Sequence, residues 1–108
     1  MNFQSLDLTP VEKMFVDEVV FLIEQQGMDS IHLRINRMAD KTLNFRLTGC
    51  QIGRVNLQGR KTRMQVITTK NVHWYENEPF EKSLVRLKQW MVYIKQANLY
   101  DPARMWTW

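Results

Sequence analysis

The residues in this chain best suited to chemistry are six cations in its middle third: Arg34, Arg46, Arg54, Arg60, Lys61 and Arg63. A guanidinium is planar, permanently charged and rich in N–H donors, so it grips phosphate oxygens in pairs; lysine adds a compact point charge. Among them stand Asn36, Asn44, Asn56 and Gln65, whose amides both donate and accept and suit base edges. Together these types support recognition of an anionic polymer, above all the backbone of DNA or RNA.

The charge distribution sharpens this. Residues 1–30 carry Lys13 against Asp7, Glu12, Asp17, Glu18, Glu24 and Asp29, a net of −5. Residues 31–63 add Arg37 and Lys41 to the six cations against Asp40 alone, a net of +7, and the remainder contributes +2. The overall +4 therefore conceals an acidic opening and a cationic middle. Charge held on one surface steers anionic partners more than net charge does. The same cations also fit a plainer role, a solvated face that keeps sheet edges from aggregating.

Catalytic chemistry has less to work with. His32, His73 and Cys50 are the residue types of a metal or nucleophile site, but their spacing matches no ligand motif. Cys50 beside Gly49 reads as a small turn or edge residue. Asp40 is the lone carboxylate of the cationic block, so paired-carboxylate catalysis lacks a partner there. No glycine-rich phosphate loop is present. The expectation is a binding module without catalysis, cofactor or metal.

The elements that must position the cations follow from periodicity. Thr9-Pro10-Val11-Glu12 is a helix start, with Thr9 as cap, Pro10 at the first helical position and Glu12 completing a capping box. Val11, Phe15, Val19 and Leu22 repeat at helical spacing, flanked by Met14, Val16, Val20 and Ile23, and Gly27 supplies a stop. This predicts a helix from about Pro10 to Gln26 with its acidic residues exposed. The period then becomes two. Ile31, Leu33 and Ile35 alternate with His32, Arg34 and Asn36; Leu43, Phe45 and Leu47 with Asn44, Arg46 and Thr48. Val55 and Leu57 alternate with Arg54 and Asn56; Met64 and Val66 with Arg63 and Gln65. A last strand, Val72 to Tyr75, places Val72 and Trp74 inward and His73 and Tyr75 outward. Ile52 and Ile67 fall on the polar face by counting, and Gly53 suggests a bulge that resets the phase. A second helix starts near Pro79, with Phe80, Leu84, Leu87, Met91 and Ile94 as its apolar stripe. Trp90 falls beside that stripe, which predicts a place at the helix–sheet rim.

Short turns between the strands favour an antiparallel meander. The expected fold is α+β: an N-terminal helix, a four- to five-stranded antiparallel meander and a C-terminal helix, with both helices on one sheet face. The other face stays wet, which an antiparallel sheet tolerates. It is expected to present His32, Arg34, Asn36, Asn44, Arg46, Arg54, Asn56, Arg63, Gln65, His73 and Tyr75, with Arg60 and Lys61 on the hairpin tip Gln58-Gly59-Arg60-Lys61. With Tyr75 as its main aromatic, such a face offers little base stacking.

The order helix, strands, helix is similar to that of the double-stranded RNA-binding domain, but Glu78-Pro79-Phe80-Glu81 stands where that family has its lysine-rich helix start, so membership is not inferred. It also resembles the frataxin-like arrangement in topology, and topology does not carry function.

One domain is expected over 1–108, with 1–8 as an arm and 99–108 as a tail. The tail holds Trp106 and Trp108, residue types enriched at protein interfaces. They motivate a second reading, a protein-interaction module acting as inhibitor or adaptor; folding back onto the core is their plainer role. An acidic first helix meeting a basic sheet face would also allow self-association. No apolar run is long enough to cross a membrane. A single cysteine and no signal-like opening lead to the expectation of a reducing, cytoplasmic setting.

Overall fold

The computed structural model describes residues 7–97. The chain runs α1 (Pro10–Gln25), β1 (Leu33–Arg37), β2 (Leu43–Leu47), β3 (Cys50–Asn56), β4 (Arg63–Ile67), β5 (Val72–Glu76) and α2 (Phe80–Gln96). The five strands form one antiparallel sheet in sequence order, as short connections require. Both helices lie on one face, giving the expected α+β arrangement.

α1 begins as its sequence predicts. The Thr9 hydroxyl accepts from the Glu12 amide at 3.2 Å, and Glu12 Oε1 accepts from the Thr9 amide at 2.9 Å. Two otherwise unpaired donors are thereby satisfied. The helix ends at Gly27, whose φ of 81° is costly for any residue with a Cβ. There the Gly27 amide donates to Glu24 at 3.0 Å and the Met28 amide to Ile23 at 3.2 Å, a paired closure that seats Met28 against the core.

Two details of α1 depart from the expectation. Val11 and Met14 are exposed, so the buried stripe narrows to Phe15, Val16, Val19 and Ile23. Glu12, expected outside, is fully buried. Arg37 at the end of β1 grips it with Nη2–Oε1 at 2.8 Å and Nη1–Oε2 at 2.9 Å, and Gln58 donates to both carboxylate oxygens. Arg37 also donates to the carbonyls of Asp7 and Lys41. Burial pushes the Glu12 carboxyl up, but the bonds from Arg37, the Thr9 amide and Gln58 outweigh it and hold the group below its ordinary value. This clamp ties the start of α1 to β1 and to the loop between β3 and β4.

The centre of the core is an aromatic triad. Phe15 of α1, Phe45 of β2 and Trp90 of α2 meet edge to face, with centroids 5.3–5.6 Å apart. Trp90 is therefore not a rim residue: it is fully buried, and its Nε1 donates to the Gln65 carbonyl at 2.7 Å. Gly53 makes the room, because a Cβ there would overlap the indole ring. The β2–β3 register shifts between Phe45 and Arg46, so that Gly53 pairs with Phe45 and Gln51 with Arg46. Ile52 is the extra residue, fully buried. The bulge at Gly53 thus resets the phase of β3 as the sequence suggests.

Candidate nucleic-acid interface

The strand register decides where the arginines stand. Arg34 pairs with Arg46 and Asn36 with Asn44 across β1–β2. Asn44 pairs with Arg54, and Arg46 with Gln51, across β2–β3. Asn56 pairs with Arg63 across β3–β4. Paired residues and alternate residues of a strand share a face, so Arg34, Arg46, Arg54 and Arg63 all occupy the face opposite the helices. Arg34, Arg46 and Arg63 are exposed and Arg54 is half-buried.

Among the described residues, their local bonds leave most donors unused. Arg34 Nη1 donates to the carbonyls of Ile31 and Leu33, at 2.6 and 3.0 Å. Arg46 Nη2 donates to the Gly49 carbonyl at 2.7 Å. Arg54 Nε reaches Asn44 Oδ1 at 3.4 Å, and Asn44 donates on to Asn36 at 3.3 Å. These contacts aim the side chains without neutralising them. Among the described residues, none of the four is ion-paired with a carboxylate within 4.0 Å. Two carboxylates border the face. Glu76 lies directly across from Arg63. Asp40, in the β1–β2 turn, is held below the usual carboxylate range, first by hydrogen bonds from Thr42 and further by the charge of Arg63.

The fifth strand faces the other way from the sequence expectation. Met64 pairs with Tyr75, Gln65 with Trp74 and Val66 with His73. Met64 and Val66 point into the core, so Tyr75 and His73 share the helix side while Val72 and Trp74 stand on the outer face. Tyr75 packs under α2, where the Arg86 guanidinium lies 3.5 Å from its ring centroid. Arg86 is fixed in turn by a fork onto Glu78, at 2.6 and 2.7 Å. Trp74, expected in the core, is 38% exposed, and the Arg63 guanidinium lies 4.3 Å from its ring centroid. His32 lies outside the strands, because residues 30–32 form a 3₁₀ turn capped by Asp29 Oδ1 on the Ile31 amide. Gln51, not anticipated, joins the face and donates to Gln65 Oε1 at 2.7 Å.

Arg60 and Lys61 are exposed at the tip of the β3–β4 hairpin. The base of that loop is held by Gln58 on Glu12 and by Asn56 Oδ1 on the Gln58 amide. Trp106 and Trp108, the expected protein-interaction residues, lie outside the described residues.

Other candidate chemistry does not converge. Among the described residues, no three His, Cys, Asp or Glu side chains gather to hold a metal ion, and His32 and His73 lie on different elements without a shared site. A cleft of roughly 350 Å³ lies between the β4–β5 turn and the end of α2, lined by Ile67, Thr68, Lys70, Val92 and Tyr93 among others. Among the described residues Lys70 is its single charged group, and the negative end of the α2 dipole disfavours an anion there. Among the described residues, no helix is long and apolar enough to cross a membrane.

The chain matches no known protein-family model, no curated protein and no solved structure.

Proposed function

We propose that this protein is a non-catalytic binding module that holds nucleic acid on the outer face of its sheet, in a cytoplasmic setting. Arg34, Arg46, Arg54 and Arg63 contact the phosphates, and Arg60 and Lys61 extend the contact from the hairpin tip. The observation that supports this most is the register, which sets four guanidinium groups on one helix-free face without carboxylate partners among the described residues. Each retains N–H donors after its local bonds, and charge-assisted bonds to phosphate oxygens are the strong ones. The asparagine and glutamine amides between them can reach sugars and base edges.

A titration of the full chain with oligonucleotides tests this. Binding with Kd of about 1 µM or tighter is expected at low salt, weakening steeply as salt rises. Arg46→Ala and Arg54→Ala should each lower the salt slope by about one unit. Failure to retain any DNA or RNA at low salt would reject the proposal.

A further inference from the structure

We propose that Trp74 is the stacking site for an unpaired base, and that Arg63 exchanges the indole ring for a phosphate when the base arrives. This rests on the outer face being a nucleic-acid surface, and it specifies the ligand as a single strand.

Trp74 is a large aromatic held outside the core by the pairing of its neighbours, since His73 and Tyr75 oppose Val66 and Met64. It ends a row that crosses the sheet. Arg34 pairs with Arg46, Arg46 with Gln51, Gln51 donates to Gln65, and Gln65 pairs with Trp74. Five strands make this row about 19 Å wide at the usual strand spacing. A flexible strand laid along it sets phosphates beside Arg34 and Arg46 and a base over Trp74.

Arg63 now covers the indole at 4.3 Å, and at an exposed site such a contact is worth only about two- to fivefold in an equilibrium. Stacking of a base on an aromatic side chain is worth about five- to 150-fold. A base therefore displaces the guanidinium from the ring, and the released cation, on the same face, gains a phosphate. The interior of a duplex cannot make this exchange, because its bases are already stacked on each other.

The test compares an unstructured single strand of about 15 nucleotides, as DNA and as RNA, with blunt duplexes of the same length, by fluorescence anisotropy on the full chain. The wild type should prefer the single strands. Trp74→Leu should weaken single-strand binding about tenfold, leaving duplex binding and the salt slope unchanged, and Trp74→Phe should restore most of the loss. Arg63→Ala should lower the salt slope by about one unit while the single-strand preference persists. Equal binding of single strand and duplex, or equal effects of Trp74→Leu on both, would overturn the stacking site and leave the nucleic-acid surface standing. Binding of neither would sink both. Sedimentation of wild type and Trp74→Leu adds a control: a wild-type dimer that the variant dissolves, with no oligonucleotide bound, would make this face a protein interface and overturn the inference.

Discussion

The indole of Trp90 rests on the backbone of Gly53, where an added Cβ would overlap the ring. Strand and helix are thereby locked together: α2 inserts its largest residue into a notch that a bulge and a glycine create. Phe15 and Phe45 close around the same ring, so α1, α2 and the sheet share one packing centre. The outer face, with its arginines, is the reverse side of this arrangement.

Gly53→Ala should therefore destabilise the fold by at least about 2 kcal/mol, since overpacking a tight core costs in that range. Trp90→Phe removes the six-membered part of the indole and leaves the Gln65 carbonyl without its 2.7 Å donor, a loss of about 1–3 kcal/mol. The two changes should not add. Chemical denaturation of both single variants and the double variant should give a favourable coupling above about 0.5 kcal/mol. Strict additivity would mean that the two residues do not meet.

The buried pair of Glu12 and Arg37 makes a prediction about acid. Because the folded state holds the Glu12 carboxyl below its ordinary value of 4.5, its contribution is complete above that value and is lost as pH falls through the lower, folded one. Glu12→Gln should cost about 2–3 kcal/mol at neutral pH, somewhat under the range for a fully buried pair because Arg37 keeps some solvent contact. The gap between wild type and variant should close below pH 4.5. Denaturant titrations at several pH values read this directly, and a gap that stays constant into acid would contradict the role given to the carboxylate.

Arg86 joins α2 to β5 through two contacts that a lysine cannot copy, a fork onto Glu78 and a stack on Tyr75. Arg86→Lys keeps the charge but loses the planar group. The variant should melt roughly 4–8 °C below wild type. An unchanged melting temperature would show that neither contact contributes.

Much of the fold was legible from local signals. Thr9 and Glu12 announce the start of α1, and the period-two runs place Arg34, Arg46, Arg54 and Arg63 on one face. Gly53 flagged the bulge that Ile52 occupies. What escaped was set by partners distant in sequence. Glu12 looked like a surface acid because Arg37 and Gln58, which bury it, lie 25 and 46 residues away. Trp90 looked peripheral because the hole it fills is an absent side chain on another element. The phase of β5 was misread because Val72, His73, Trp74 and Tyr75 are bulky on both parities, so polarity could not choose. The signal that could have chosen is the turn. Ile67 pairs with Val72 around Thr68–Asn71, so a four-residue connection puts His73 opposite the inward Val66. A shift of one residue turns a whole strand over, and here it moved the tryptophan from the core to the candidate site.

The most direct test of the central claim is the salt dependence of oligonucleotide binding by the wild-type chain. With four face arginines and two tip cations engaging a single strand, log K should fall linearly with log salt at a slope of about −4. A flat dependence, or no binding at the lowest salt tried, would contradict the account.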